Sequence, residues 1–163
     1  MKTLVIFDSA YGNTAQIARA IGDALGSAPD VVTLQVGEVT PDQLSGLELL
    51  IVGSPTQRFS ATPAISSFLK SLPEHALRGV KVAAFDTRFT REHMKSVSSV
   101  LSFSAGLVGD SAYAAKSIAS ALKREGSALV APPEGFYVKD TEGPLLDGEL
   151  ERAAEWAQRV AGG

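Results

Sequence analysis

The stretch Leu4-Val5-Ile6-Phe7-Asp8-Ser9-Ala10-Tyr11-Gly12-Asn13-Thr14 decides how this chain folds. Its apolar run ends in small and hydroxylated residues and passes directly into a segment of helical period, Thr14–Leu25. That pattern is strand, turn and helix, the opening of a β-α-β unit. At such a junction the first N–H groups of the helix have no intrahelical acceptor, and the helix dipole favours an anion beside them. The turn Ser9–Thr14 holds no lysine and no acidic residue. Gly12 lets the backbone approach a ligand closely, while Ser9, Asn13 and Thr14 carry side-chain donors. Taken alone, these residues suit a phosphate cradle and an ordinary helix cap equally well.

Beyond this unit, short apolar runs alternate with amphipathic segments, the signature of an α/β domain with a buried parallel sheet. Strands are expected at Lys2–Phe7, Val31–Val36, Leu47–Gly53, Val80–Phe85 and Ala128–Ala131, the last open to extension through Phe136–Val138. Helices are expected at Thr14–Leu25, Pro63–Ser71, Ala112–Glu125 and Gly148–Val160, each with an apolar face at three- and four-residue spacing. Thr40-Pro41-Asp42-Gln43 reads as a capping box with proline at N1 and a short turn of helix. Thr62-Pro63 and Asp147 read as helix starts, Gly26 and Gly126 as helix ends. The result is one doubly wound, five-stranded parallel domain across residues 1–163, with helices on both faces. The segment Phe89–Asp110 fits less easily: a short helix is expected over Glu92–Leu101, and a span of this length is expected to be either a lid over a site or an interaction surface. The helix after it is expected to start at an Asp110 or Ser111 cap.

Composition narrows the function. At 163 residues, 45% hydrophobic and 20% charged, the chain fits one domain with a sizeable core. A net charge of −3 without a basic stripe argues against nucleic acid as a partner. With zero cysteines there is no disulfide, thiolate metal site or cysteine nucleophile. His75 and His93 lack partners at metal-ligand spacing and read as solvated or partly buried. No apolar run approaches the roughly 18 residues of a membrane span, and the N-terminus does not read as a signal peptide, so a cytoplasmic protein without membrane insertion is expected.

In an open parallel sheet the ligand sits beyond the carboxyl ends of the strands, where the strand order reverses. Besides Ser9–Thr14, two such ends are rich in hydroxyls, amides, arginine and aromatics: Ser54-Pro55-Thr56-Gln57-Arg58-Phe59 and Asp86-Thr87-Arg88-Phe89. Converging, the three would hold a phosphorylated planar cofactor, with the alternative that Phe59 and Phe89 merely anchor their loops. Phe136, Tyr137 and Trp156 fall away from that point and read as packing residues. Rival chemistries lack their residues. There is no Gly-Lys-Ser/Thr phosphate loop, no Gly-x-Gly-x-x-Gly turn, no acceptor aspartate of a receiver domain at Gly53-Ser54-Pro55, and no nucleophile elbow.

These loops resemble those of flavodoxins. Ser9, Gly12, Asn13 and Thr14 are similar to the family's Thr/Ser-x-Thr-Gly-x-Thr phosphate loop, with Tyr11 replacing the middle threonine, and Gly53-Ser54-Pro55-Thr56 is similar to its second loop. The resemblance implies strand order 2-1-3-4-5 and FMN as cofactor. It places Ser9, Ala10, Tyr11, Gly12, Asn13 and Thr14 around the phosphate. It sets Ser54, Pro55, Thr56, Gln57, Arg58 and Phe59, with Asp86, Thr87, Arg88 and Phe89, around the isoalloxazine. It implies electron transfer with a redox partner protein or a small-molecule electron acceptor. Alternatives are a flavin-dependent NAD(P)H or quinone reductase, and an interaction protein without turnover.

Two departures bear on the redox chemistry. Many flavodoxins place Trp-Gly where this chain has Gln57-Arg58, and the glycine peptide flips toward reduced N5 and stabilises the semiquinone. A non-glycine residue resists positive φ by about 1 to 2 kcal/mol, so the flip is expected to be harder here. Moreover, Arg58, Arg88, Arg91 and Lys95 stand against only Asp86 and Glu92 in these loops, where flavodoxins are usually acidic. A flavin of higher potential and weaker semiquinone is expected, unless these arginines pair with the two acids or point to solvent.

Overall fold

The computed structural model describes residues 1–57, 60–90 and 113–163. β1 (Thr3–Phe7) is buried along its whole length, as a strand covered on both faces must be. β2 (Val31–Gln35) and β3 (Leu49–Pro55) flank it in parallel, Thr3 lying opposite both Val31 and Leu49. β4 (Lys81–Phe89) pairs with β3, and the sheet order is β2-β1-β3-β4-β5, the doubly wound order expected.

The fifth position of the sheet is filled by two short strands. β5 (Ala128–Leu129) pairs with Lys81 and Val82, and β6 (Glu134–Val138) pairs with Phe85–Phe89. Between them lie Pro132 and Pro133, which have no N–H to give the ladder. The expected single strand Ala128–Ala131 is therefore interrupted, and Phe136–Val138 belongs to a separate strand. β6 also explains a second correction. Asp86–Phe89, expected as a loop, continues β4 because β6 supplies partners from Glu134 to Val138. Ser54 and Pro55 likewise belong to β3, opposite Asp86 and Thr87.

The helices are α1 (Asn13–Leu25), α2 (Pro41–Leu44), α3 (Pro63–Ser71), α4 (Ala114–Arg124) and α5 (Glu149–Gly162). Side-chain alternation along the strands sorts them onto two faces. Val82 and Ala84 of β4 join the cluster containing Ile65 of α3 and Ile118 of α4. Ala83 and Phe85 face Ile17 of α1 and Trp156 of α5. On that second face Phe85, Phe136 and Trp156 pack edge-on with ring centroids 6.1 to 6.2 Å apart, so Phe136 and Trp156 are core residues, as expected.

Local caps were partly legible. The Thr40–Gln43 box forms, with the Thr40 N–H donating to Gln43 Oε1 at 2.7 Å, and Thr62 Oγ1 accepts from the Ile65 N–H. Gly26 caps α1, and Gly126, at φ 80°, follows the end of α4. Asp147 does not cap α5; the N-cap is Gly148, at φ 85°, with no side-chain cap. The N-cap of α4 is Tyr113 and not an Asp or Ser. Asp110 and Ser111, the helix expected over Glu92–Leu101 and the lid or surface role of that segment lie outside the described residues.

Candidate functional site

The turn at the start of α1 is organised by its own side chains. The Ser9 hydroxyl oxygen accepts from the N–H groups of Gly12 at 3.0 Å and Ala15 at 3.3 Å, and the Ser9 N–H donates to Asp8 Oδ1. Gly12, the N-cap, has φ 90°, a left-handed conformation that disfavours any side chain. A Cβ there would meet no protein atom within 4 Å, so within the protein it is the turn's left-handed conformation, and not packing, that calls for glycine. The Asn13 amide donates to the Glu142 carbonyl at 3.2 Å. Thr14 Oγ1 lies 2.8 Å from Thr87 Oγ1, a buried hydroxyl pair joining α1 to β4. What the turn keeps unused is backbone. Among the described residues, the N–H groups of Ala10, Tyr11, Asn13 and Thr14 have no protein acceptor.

At the ends of β3 and β4 a second group of side chains fixes the opposite wall. Ser54 is fully buried; its hydroxyl accepts from the Thr62 N–H and donates to the Pro55 carbonyl. Thr56 Oγ1 accepts from the Ala114 N–H at 3.1 Å, while its own N–H donates to the Thr87 carbonyl. Gln57 and Ser60 exchange backbone hydrogen bonds of 2.9 Å. Asp86, also fully buried, receives the Arg88 guanidinium as a fork: Nε to Oδ1 at 2.6 Å and Nη2 to Oδ2 at 2.8 Å. Asp86 Oδ2 accepts a third bond from the Ala115 N–H at 2.9 Å. The first two N–H groups of α4 are thus capped from two places, Thr56 just beyond β3 and Asp86 in β4. Burial pushes the Asp86 carboxyl up from its ordinary value, against the downward pull of Arg88, the Ala115 N–H and the Thr56 hydroxyl.

Between these walls lies a cavity of about 450 Å³, within the range of small-molecule and cofactor sites. From the turn it is lined by Ser9, Ala10, Tyr11, Asn13 and Thr14. Pro55, Thr56 and Gln57 line it from the end of β3, and Thr87, Arg88 and Phe89 from the end of β4. The structure therefore brings together residues from all three expected segments. Gly12, Ser54 and Asp86 are not in the lining; they act from behind it through the contacts just described. Arg58 and Phe59 lie outside the described residues. Tyr113, Val138 and Thr141 also line the cavity, and sequence reasoning missed them. Val138 and Thr141 arrive because β6 lies beside β4, and Tyr113 because the start of α4 is held by Thr56 and Asp86; neither follows from local spacing.

The positive rim expected from the arginines is tempered at the one described position. Arg88 is paired with Asp86 and lies 3.7 Å from the centre of the Tyr113 ring, so its charge is balanced locally. Arg58, Arg91, Lys95 and Glu92 are outside the described residues. No group of His, Asp or Glu suited to a metal ion occurs among the described residues, and none of their helices is long and apolar enough to cross a membrane. His75 is exposed beside Glu74.

Comparison with known proteins agrees with the loop pattern. Over 91 aligned residues the chain is 41% identical to the type A flavoprotein fprA of Rhodobacter capsulatus. That alignment takes in 52% of this chain but only 21% of the relative, so the chain corresponds to about a fifth of that protein's length. Among solved structures, oxidised flavodoxin 1 from Bacillus cereus superposes with a TM-score of 0.72 at 16% identity, covering 99% of this chain and 98% of the other. A flavodoxin from the domain Archaea gives 0.72 at 24% identity, covering 99% and 97%. Rubredoxin oxygen:oxidoreductase from Desulfovibrio gigas gives 0.67 at 21% identity, with 99% of this chain matched to 35% of that one. These structural likenesses establish the fold. The family model of the flavodoxin domain matches residues 4–104, and the chain belongs to that family.

Proposed function

We propose that this chain binds FMN in the cavity between α1, β3 and β4 and acts in electron transfer. The observation that carries this reading is the set of unpaired N–H groups at Ala10, Tyr11, Asn13 and Thr14, opening into a cavity large enough for a cofactor. A donor set of neutral backbone N–H groups at a helix N-terminus fits a phosphate dianion without help from lysine or arginine. Gly12 sets the curvature of the turn, and Ser9 fixes it in place before any ligand arrives. Thr14 and Thr87 tie the phosphate end to the end of β4. From there Pro55, Thr56 and Gln57 on one side, and Phe89 and Tyr113 on the other, provide apolar and aromatic surface for a planar ring. Arg58 and Phe59 complete the proposed set by resemblance.

FMN, when bound, supplies one- and two-electron exchange; the protein contributes binding, orientation and electrostatics. The family relationship, and its likeness to redox proteins such as rubredoxin oxygen:oxidoreductase, support a redox partner protein or a small electron acceptor as the counterpart, and a cytoplasmic setting goes with that role. Titration of flavin-free protein with FMN tests the reading. Saturable quenching of flavin fluorescence, with a shifted visible spectrum that bleaches on reduction, is the expected result. Absence of binding above background overturns it.

A further inference from the structure

We propose that Arg88 is a ligand-recognising residue of the cavity, donating from Nη1 to an acceptor atom on the edge of the planar ring, at the end remote from the phosphate turn. The inference rests on the flavin reading above and deepens it by naming how the ring is read.

Arg88 is held on every side. Nε and Nη2 are committed to the two oxygens of Asp86, which is itself anchored by the Ala115 N–H. One face of the guanidinium lies at 3.7 Å from the Tyr113 ring centre. Its space is kept open by Gly135 of β6: a Cβ there would fall 2.1 Å from Nε, 2.3 Å from Cζ and 2.6 Å from Nη2. The side chain is 14% exposed. An arginine fixed by a carboxylate fork, an aromatic ring and a glycine has little entropy left to lose on binding.

One nitrogen stays uncommitted. Among the described residues Nη1 has no acceptor, and no buried side-chain nitrogen or oxygen is left without a partner, so Nη1 is reachable on a residue that lines the cavity. Alternation along β4 decides which end of a ligand it meets. Thr87 projects to the α1 face, where it bonds Thr14 of the phosphate turn. Arg88, one residue on, projects to the α4 face beside Tyr113. The phosphate turn is therefore served from the other side of the sheet. What remains for Nη1 is a ring carbonyl or an unprotonated ring nitrogen. Because Asp86 balances the charge, recognition is by hydrogen-bond direction more than by attraction to an anion.

The test compares FMN with riboflavin, which has the same ring without the phosphate, by fluorescence titration of wild type, the paired variant Asp86→Asn/Arg88→Met, and Arg88→Lys. The paired variant removes the guanidinium without stranding Asp86 as a buried charge; Arg88→Lys keeps the charge but not the fork or the Nη1 donor. Expected is a loss of about tenfold in affinity for both ligands, in both variants, with the FMN-to-riboflavin ratio unchanged and cooperative melting retained. A loss confined to FMN overturns the inference, because the guanidinium would then serve the phosphate. Unchanged affinity for both ligands overturns it too, making Arg88 a structural residue while leaving the flavin reading intact. Failure of wild type to bind either ligand overturns the flavin reading itself.

Discussion

Replacing Asp86 by alanine is expected to be among the most destabilising single changes near the cavity. The carboxylate is fully buried and carries three hydrogen bonds, two from Arg88 and one from the Ala115 N–H. Alanine leaves a guanidinium with 14% side-chain exposure and no counter-charge, and it orphans an N–H at the first turn of α4. Stranding one member of a buried pair costs about 3 to 5 kcal/mol. The lower end applies here, because Arg88 reaches the cavity and water can approach it. Loss of the remote cap adds about 1 kcal/mol. The sum, about 4 kcal/mol, is a large fraction of the roughly 5 to 15 kcal/mol typical of a whole domain. Urea denaturation at pH 7, extrapolated linearly to water, measures it. Asp86→Leu/Arg88→Met removes both charges and forfeits the cap alone, so it should lie within about 2 kcal/mol of wild type. If Asp86→Ala costs less than about 1 kcal/mol, or the double variant is no more stable than the single one, the ion pair does not hold this wall together.

Other consequences are open to measurement. Gly12→Ala meets no steric obstacle but must adopt φ 90°, so a cost of about 1 to 2 kcal/mol is expected in chemical denaturation, and a neutral effect would contradict the left-handed turn. Thr14→Val leaves the buried Thr87 hydroxyl without its partner and should cost about 1 to 3 kcal/mol; adding Thr87→Val should recover part of that loss. The raised Asp86 carboxyl makes the folded state hold its proton more tightly than the unfolded one. Folding stability attributable to this group is therefore fully present below the ordinary carboxylate value and is lost as pH rises toward the folded one. Stability measured from about pH 4 upward should show that decline in wild type, and Asp86→Asn should remove it.

Much of the architecture was legible because it follows from short-range patterns. Apolar runs gave the strands, and Thr40-Pro41-Asp42-Gln43 announced α2 through its own residues. The turn that opens α1 was legible for the same reason: strand, Gly12 and helix are consecutive. The misread positions are those settled by distant partners. Asp86–Phe89 is strand because β6 lies along all of it and the end of β3 pairs with Asp86 and Thr87, and the interruption that sets β6 apart is written in Pro132-Pro133. The start of α4 was sought in a local Asp or Ser, whereas its caps come from Thr56 and Asp86. Tyr113, Val138 and Thr141 escaped because sequence spacing does not say which loops meet. The pairing of Arg88 with Asp86 was one of two alternatives the sequence left open, and it is the one realised: two residues apart on a strand, they share a face.

The remote capping of α4 has a consequence for how this domain assembles and opens. A helix capped by its own preceding residue can form its first turn alone, but the Ala114 and Ala115 amides find their acceptors only once the ends of β3 and β4 are side by side. Their hydrogen-exchange protection therefore reports on the closing of that sheet seam and not on helix content, and these two amides should exchange in step with the β3–β4 ladder while the rest of α4 keeps its own rhythm.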